Sequence, residues 1–436
     1  MNDEAKQHIL RVLALVFVMA ATAGCGGGGG GGGGPASQPV VIAPNSPNIV
    51  STWYGIAANT VNVPAAATGT PEEQRPILVV DMATVHVAIY DAVMAITGTH
   101  QPYAAVPAMP GAGASVDAAV SSAAYNVLMA LFPNRSAQYQ AAYVAEIAKI
   151  PAGDAKARGI ALGADLATRI LALRTNDGRA VTLAPYVPGT APGQFRGANP
   201  INRFLPSVKP LAMTGAAQFR APGPPALTST VYASDVNETK AMAATNSTAR
   251  SAEQTEIARF HTENPGLFQT RNYKQFAMSQ PSVADNARLM AQVWVTTADA
   301  TIACFEAKYH FEFWRPTSAI NLADTDGNAG TDPDPAWTPH VATPNHPEYP
   351  AAHSCVNASL AEAIARYFGT RRVSFSMDST VTNTTHAYES VDHLVSESAV
   401  ARIWGGMHFR TSTQDGVALG RNVGNWVADH HFRPRS

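Results

Sequence analysis

Residues 77–97 read ILVVDMATVHVAIYDAVMAIT, with apolar side chains recurring every three or four positions. That period matches the turn of an α-helix and predicts a helix with a wide apolar face. Three Ala- and Leu-rich stretches follow with the same pattern, at about 114–132, 136–150 and 153–175. Helices of this kind, joined by short connections, predict a bundle in which each apolar face is buried against its neighbours. Residues 47–75, before the first stretch, are polar and are predicted to be irregular.

A second series of helical patterns fills the C-terminal half of the chain. Residues 184–228 separate it from the first series, because repeated Pro-Gly pairs there break any regular helix. The predicted helices of this series lie at about 235–263, 282–314, 351–368, 388–404 and 413–430. Only residues 373–377 have the composition of a strand. The sequence therefore predicts an all-α protein of helical bundles, with an N-terminal helical region at 47–234 and a C-terminal one at 235–436.

The composition narrows the class of protein. Hydrophobic residues make up 46% of the 436 residues, which is enough for a large buried core. The 30 basic and 32 acidic residues give a net charge of −2, which argues against a nucleic-acid-binding surface. Three cysteines are too few for a disulfide scaffold. Beyond the N-terminus no unbroken apolar run reaches the ~18 residues of a membrane-spanning helix, so we expect no integral membrane domain.

The N-terminus has the features of an export signal. Lys6 and Arg11 give residues 1–25 a basic start, and an apolar stretch and a small-residue cleavage site follow. Cys25 stands directly after that site, where bacterial lipoproteins carry their lipid, and the Gly-rich linker at 26–46 would tether the folded body to it. We expect an exported bacterial lipoprotein, anchored on the periplasmic or cell-surface face of a membrane. An ordinary cleaved signal is the alternative.

Three separated segments combine cations with imidazoles. In the first, KYHFEFWRP at 308–316, Lys308 and Arg315 are seven residues apart, which is nearly two helical turns. Both cations are therefore predicted to project from one stripe of a helix that ends or kinks at Pro316. There they would bind the oxygens of one tetrahedral anion, Arg315 as a planar fork and Lys308 as a point charge. A solvated pair of cations at a helix end is the alternative.

The other two segments supply the imidazoles. In HPEYPAAHS at 346–354, a Pro-rich loop enters a helix at about residue 351, so free N–H groups lie beside His353. His353 is therefore a candidate general acid or base, with a structural histidine as the alternative. In RIWGGMHFR at 402–410, a continuous helix would turn His408 about 240° away from Arg402. The Gly-Gly pair between them is a break that brings His408 back toward the guanidinium.

Together, K-x6-R-P, P-x-x-H and R-x5-H resemble the three-part signature that vanadium-dependent haloperoxidases share with type-2 phosphatidic-acid phosphatases. The wider sequence over about 285–430 is similar to bacterial vanadium-haloperoxidase-like proteins. The resemblance implies that vanadate is the cofactor and that it is bound by Lys308, Arg315, Ala352, Arg402 and His408. It also implies that His408 is the axial ligand to vanadium and that His353 is the acid–base group.

The implied activity is the oxidation of a halide by hydrogen peroxide to hypohalous acid, which would act on a small organic substrate. Lys308, His353 and His408 would be the catalytic groups. His346 stands where chloroperoxidases have an aromatic residue and algal bromoperoxidases a histidine, which favours bromide. Ala351 departs from the usual serine of the family and removes a hydroxyl donor to the anion. An acid phosphatase with a phosphohistidine intermediate is the second interpretation, and an exported anion-binding protein without catalysis is the third.

Two cysteines flank segments of the candidate site. Cys304 lies one turn before Lys308, and Cys355 lies two residues after His353. In an oxidising compartment a disulfide between them would pin the two segments together. A pair of buried free thiols is the alternative.

Overall fold

Helices account for most of the regular structure in the computed structural model, which describes residues 39–104 and 106–435. The α-helices, numbered along the chain, are α1 Ile49–Val61, α2 Pro71–Gln74, α3 Leu78–Thr97, α4 Val116–Leu131, α5 Ser136–Ala148, α6 Asp154–Arg174, α7 Thr230–Ala243, α8 Ala252–Phe260, α9 Pro265–Asn272, α10 Val283–Phe311, α11 Pro316–Asn321, α12 Ala352–Phe368, α13 Val391–Trp404 and α14 Arg410–His430. The strands are β1 Val40–Val41, β2 Val373–Ser379 and β3 Thr384–Tyr388. The prediction of an all-α protein is confirmed.

Most of the predicted helices lie where the sequence places them. The first series corresponds to α3 to α6, and α10, α12, α13 and α14 match members of the second series within a few residues. The helix predicted at 235–263 is wrong, because two helices, α7 and α8, occupy that range. Ala244 takes an extended conformation that ends α7. Ser251 then starts α8 as its cap, with a hydroxyl that accepts the N–H of Gln254.

Residues 47–75 contain α1, so the prediction that they are irregular is wrong. The side chain of Asn48 accepts two N–H groups of the first turn, and the hydroxyl of Ser51 accepts the N–H of Asn48 in return. This capping box satisfies the free donors at the start of the helix. Trp53 and Tyr54 on its inner face are fully buried. The polar residues that suggest a loop are in fact the cap and the solvent side of a helix.

The predicted signal at 1–25, with Cys25, lies outside the described residues, as does the glycine run. Export and lipidation therefore stay predictions. The end of the predicted linker at 26–46 is described, and it is not a free tether, because Val40 pairs in parallel with Val373 of β2. The opposite edge of β2 pairs in antiparallel fashion with β3. The predicted strand at the start of β2 is thus the centre of a small three-stranded sheet.

The 29-residue helix α10 lies at the centre of the fold and packs against both α3 and α12. Helix α3 has the length and the mean hydropathy, 1.6, of a membrane span, but 89% of it is buried inside the protein. That burial is typical of a core helix of a globular fold. The boundary predicted at 234/235 falls within α7, and the chain from Pro39 onward forms one compact unit. The two predicted helical regions are therefore parts of one body.

A stripe of small residues brings α14 against the start of α12. Gly416, Gly420 and Gly424 recur every four residues and so share one face of α14. A Cβ at Gly416 would lie 2.8 Å from the carbonyl oxygen of Ala351, and one at Gly420 would lie 2.2 Å from that of Cys355. The two backbones therefore approach more closely than any larger side chain allows. This contact fixes the N-terminus of α12, which carries His353.

Candidate oxyanion-binding site

The second and third predicted segments meet at a cavity of about 430 Å³. The second segment contributes His346, Ala352 and His353 to its lining, and the third contributes Arg402 and His408. Most of the remaining wall is apolar and comes from the start of α3, the 201–205 loop, α9 and α10. Lys308 and Arg315 of the first segment lie behind this lining rather than on it.

The first segment is not one continuous helix, so the predicted stripe of two cations is wrong. Helix α10 ends at Phe311, and Glu312 adopts a left-handed conformation with φ of 46°. Arg315 is extended and precedes α11, whose first residue is Pro316. A proline fits that position because the first helical N–H needs no partner. The chain thus turns between the two cations and carries Arg315 toward the third segment.

Lys308 is fully buried and binds the loop that precedes α12. Its ammonium group donates to the carbonyl oxygens of Pro347 at 2.9 Å, Glu348 at 2.9 Å and Pro350 at 2.6 Å. An ammonium has three donors, so all of them are engaged with the backbone in this arrangement. Lys308 therefore shapes the loop and adds positive charge from behind the cavity. The oxygen-binding role that the resemblance implies for Lys308 requires one of these bonds to be exchanged.

Arg315 connects the second and third segments. Its Nε donates to the carbonyl oxygen of His346 at 2.8 Å, and its Nη1 donates to that of Met407 at 2.7 Å. The same Nη1 lies 3.2 Å from Nε2 of His408, and Nη2 lies 3.0 Å from Nδ1 of His346. Arg315 is 3% exposed, so these bonds form in a dry environment where charge-assisted bonds are strong.

The start of α12 presents uncapped donors to the cavity. Ala351 precedes the helix and has no side-chain acceptor to bond the first N–H groups. Within the described part of the chain, no acceptor is bonded to the N–H groups of Ala352 and His353. Free N–H groups and the helix dipole together favour an anion here. The usual serine would have added one more donor, which Ala351 lacks.

His353 has a ring that is free to exchange protons. Neither ring nitrogen is hydrogen-bonded to another described residue, and the ring lines the cavity. Burial, and after it the charge of Arg402, hold the pKa of His353 well below its ordinary value. The imidazole is therefore neutral near pH 7 and is able to accept a proton.

The third segment bends as the glycine pair predicts. Helix α13 ends at Trp404, and Gly406 has φ of 82°, a left-handed conformation that suits glycine. The N–H groups of Met407 and His408 then both donate to the carbonyl oxygen of Arg402, at 3.1 and 3.3 Å. This reversal returns His408 to the cavity on which Arg402 lies.

A carboxylate that the sequence analysis did not single out holds His408. Oε1 of Glu348 lies 2.9 Å from Nδ1 of His408 and accepts the N–H of Phe409 at 3.0 Å. With Nδ1 engaged, Nε2 is the nitrogen that a ligand would bind, in exchange for its contact with Nη1 of Arg315. Glu348 is fully buried. In the sequence, Glu348 is marked only as an acidic residue inside the Pro-rich HPEYP stretch. Composition alone does not distinguish such a stretch from a solvated turn.

The buried charges of the site do not balance. Among the described residues that contact one another here, three cations accompany the single carboxylate of Glu348. Burial lowers the pKa of Lys308 to about 8, that of Arg402 to about 9 and that of Arg315 to about 10. Burial raises the pKa of Glu348 to about 7. Arg402 also has a buried Nε without a hydrogen-bond partner in the described part of the chain. An anion in the cavity would stabilise all three cations.

The two cysteines near the site are buried free thiols in this structure. Their sulfur atoms lie 2.7 Å apart, so the two segments that they flank are in direct contact. The thiol of Cys304 also lies 3.8 Å from the carbonyl oxygen of Pro350, which Lys308 binds as well. A disulfide between them stays a prediction.

The segments that form this site also match a known protein family. Residues 288–435, which contain all three segments, match the family model described as VCPO second helical-bundle domain. Over 108 residues the chain is 32% identical to the vanadium chloroperoxidase of Curvularia inaequalis. That match covers 22% of this chain and 17% of the fungal enzyme.

Solved structures extend the likeness to nearly the whole fold. The first bacterial vanadium-dependent iodoperoxidase has a TM-score of 0.68 at 21% identity, over 89% of this chain and 96% of that one. A holo-type bacterial vanadium-dependent chloroperoxidase has a TM-score of 0.65 at 16% identity, over 89% and 98% of the two chains. The C-terminal part of the chain is thus similar to the second helical-bundle domain of vanadium chloroperoxidases, and the body as a whole has the fold of bacterial vanadium-dependent haloperoxidases.

Proposed function

We propose that this protein is a vanadium-dependent haloperoxidase-like enzyme that oxidises a halide with hydrogen peroxide to hypohalous acid. The observation that carries the proposal is the uncompensated group of buried cations beside His353 and His408, at the polar end of a largely apolar cavity. The matches to haloperoxidases support the same chemistry, although the curated match covers only 17% of the fungal enzyme.

Vanadate fits the residues present. The buried Nε of Arg402 has no partner in the described part of the chain, and neither do the first N–H groups of α12. These donors would hold the oxygens, and Nε2 of His408 would bind the metal, with Lys308 and Arg315 adding charge from behind. Bound vanadate supplies a Lewis acid that activates peroxide toward a halide without changing its own oxidation state.

The residues of the chain have separate tasks in this reaction. His353, which is neutral and has no hydrogen-bonding partner among the described residues, accepts the proton that peroxide loses and returns it to the departing oxygen. Glu348 binds Nδ1 and so fixes the ring of His408 with Nε2 directed toward Arg315 and the anion site. The apolar wall limits water around the oxidant and leaves room for a small organic substrate.

We further propose bromide as the preferred halide. His346 lines the cavity beside Arg315, where the resemblance associates a histidine with bromoperoxidases. Its pKa is lowered well below the ordinary value, by burial first and then by the charge of Arg315. A neutral imidazole here offers a halide polar contact without fixing it as an ion pair.

The test is reconstitution of the purified chain with orthovanadate, followed by an assay of dye bromination with peroxide and bromide. We expect activity that depends on vanadate and falls at least about 100-fold in His408→Ala, because the metal loses its protein ligand. His430→Ala, on the exposed end of α14, is the matched control and should retain full activity.

Two other outcomes would replace the proposal. Hydrolysis of p-nitrophenyl phosphate without halide oxidation would indicate a phosphatase that binds its substrate at the same anion site. Binding of phosphate with no turnover in either assay would indicate a non-catalytic anion-binding protein. In that case Ala351→Ser tests whether the missing hydroxyl is the cause, because the restored donor should revive activity.

A further inference from the structure

A fourth histidine lines the cavity, and it lies outside the three predicted segments. His261 follows α8 directly and is 3% exposed. Its carbonyl oxygen accepts Nη1 of Arg402 at 3.0 Å, so its backbone is tied to an arginine of the anion site. Its side chain also forms part of the cavity wall, together with His353 and His408.

The ring of His261 is hydrogen-bonded on one side. Its Nε2 lies 3.0 Å from Oε1 of Glu397 on α13. No described residue is hydrogen-bonded to Nδ1. A buried histidine with a purely structural role normally has both ring nitrogens satisfied. An unengaged nitrogen on a cavity wall is instead what a proton-transferring imidazole requires.

Glu397 is held as a charged carboxylate. The same oxygen that meets His261 also accepts Nδ1 of His386 at 2.8 Å and the hydroxyl of Tyr388 at 2.7 Å. His386 is itself bonded through Nε2 to Glu256 at 2.9 Å. Burial alone would raise the pKa of Glu397, but the hydrogen bonds from the two histidines and the tyrosine lower it well below its ordinary value.

The charge of Glu397 fixes the tautomer of His261. A carboxylate accepts only, so the proton of a neutral His261 lies on Nε2 and leaves Nδ1 with a lone pair. Burial lowers the pKa of His261, Glu397 opposes that effect, and the charges of Arg402 and His386 add to it. His261 also acts on its neighbour, because its charge would depress the pKa of His353.

We propose that His261 is a second acid–base residue of the cavity, and that Glu397 is its positioning residue. This inference rests on the proposed function, in which hydrogen peroxide, a halide ion and one proton give hypohalous acid and water. The departing oxygen gains two protons, the one that peroxide loses and one from solvent, so two imidazoles suit the reaction. His353 carries the proton that peroxide loses. Nδ1 of His261 takes the proton from solvent, forming an N–H bond, and Glu397 balances the resulting imidazolium. The same proton leaves Nδ1 for the departing oxygen when water forms.

The first arm of the test needs no catalysis. In the full-length chain labelled with ¹⁵N-histidine, NMR shifts distinguish a protonated ring nitrogen from an unprotonated one. We expect His261 to be protonated at Nε2, with a signal from Nδ1 that moves when orthovanadate is added. Glu397→Gln should mix the two tautomers, because an amide both donates and accepts. A proton on Nδ1, or a Nδ1 signal that orthovanadate leaves unchanged, overturns the proposal.

The second arm measures bromide oxidation. His261→Gln should lower kcat about 100-fold and Glu397→Gln about tenfold, with the KM for peroxide nearly unchanged. Added imidazole should restore part of the activity of a His261→Gly variant, which a structural role would not allow. His393→Gln, on the exposed side of α13 near Tyr388, is the control with unchanged kcat.

The outcomes separate the two proposals. A wild-type chain without halide oxidation refutes the proposed function, and the NMR arm then decides alone whether His261 is an unengaged base. An active wild type whose His261→Gln and Glu397→Gln variants keep the full kcat refutes only the role of His261. Loss of activity that imidazole does not rescue, with an equal loss of thermal stability, also contradicts it.

Discussion

A buried carboxylate, Glu348, contacts His408, the imidazole that we propose as the vanadate ligand. Glu348 accepts from Nδ1 of His408 and from the N–H of Phe409, and burial raises its pKa to about 7. It also offsets part of the positive charge of Lys308 and Arg315. Glu348 therefore has two effects: it orients the ring of His408 and it neutralises part of the nearby positive charge. Replacing the carboxylate by an amide keeps the shape of the side chain and removes its charge.

Glu348→Gln should reduce vanadate-dependent bromide oxidation about 10- to 100-fold, as is usual when a residue that orients a metal ligand is changed. Sulfate, which needs only positive charge, should bind the variant as tightly as the wild type or more tightly. Activity and sulfate calorimetry measure the two effects. Glu362→Gln, which weakens an ion pair with Arg371 at the distal end of α12, is the matched control. Unchanged activity in Glu348→Gln would contradict the role of this carboxylate.

The three cations also set the pH range of anion binding. Burial lowers the pKa of Lys308 from its ordinary value to about 8, so its ammonium becomes neutral sooner than that of a solvated lysine as the pH rises. A bound anion favours the protonated form. Binding is therefore strongest below this pKa and weakens above it, by up to about tenfold per pH unit.

Sulfate is the suitable probe because its charge is constant from about pH 6 to about pH 10. The dissociation constant should rise as the pH passes about 7, where Glu348 ionises, and should rise further above about pH 8, where Lys308 loses its proton. In Lys308→Met the affinity should be lower throughout and the inflection near pH 8 should be absent. An inflection that persists in this variant would assign the titration to another group.

The contact between α12 and α14 is where packing controls the site. A Cβ at Gly420 would lie 2.2 Å from the carbonyl oxygen of Cys355, so Gly420→Ala must separate two backbones. We expect a loss of about 1–3 kcal/mol in the free energy of unfolding, and a weaker anion site because the start of α12 shifts. Gly55→Ala is the matched control, since nothing lies within 4 Å of its added Cβ in α1.

Gly55→Ala should stabilise the protein by up to about 1 kcal/mol, because alanine loses less entropy in a helix. Urea unfolding of both variants gives the two free energies. If Gly420→Ala also proves stabilising, the close approach of α12 and α14 is not as tight as the structure has it.

The helices show which features a sequence reveals. Long periodic stretches such as α3 and α10 are predicted because their apolar period extends over several turns. The short helix α1 escapes prediction because its capping residues, Asn48 and Ser51, are polar and resemble a loop. The end of α10 at Phe311 also escapes, because the residue that stops it, Glu312, adopts a left-handed conformation that glycine or asparagine usually takes.

At the level of the whole molecule, the site is assembled from segments that no local pattern relates. The signature predicts that Lys308, Arg315, His353, Arg402 and His408 converge. His353, Arg402 and His408 line one cavity, and Lys308 and Arg315 lie behind its lining. The sequence could not indicate that the ammonium group of Lys308 donates to backbone carbonyls of the 347–350 loop, since that depends on where the loop folds back. His261 is missed for the same reason, because it comes from a helix end about 50 residues before the first segment.

We propose that a lipid on Cys25 attaches this protein to a membrane. One acyl chain gives only marginal membrane binding, whereas the diacylglycerol of a lipoprotein gives a stable anchor. In a bacterial host with the lipoprotein pathway, we expect the wild-type chain to incorporate labelled palmitate and to sediment with membranes. Cys25→Ser should lose the label and appear in the soluble exported fraction.

The other two cysteines of the chain provide the control. Cys304→Ser and Cys355→Ser change buried thiols and should leave the palmitate label intact. Since the anchor lies far outside the site in sequence, released Cys25→Ser protein should show the same vanadate-dependent activity per molecule as the anchored form. A Cys25→Ser chain that still sediments with membranes and carries the label would contradict the anchor, and an unlabelled soluble wild type would indicate an ordinary cleaved signal instead.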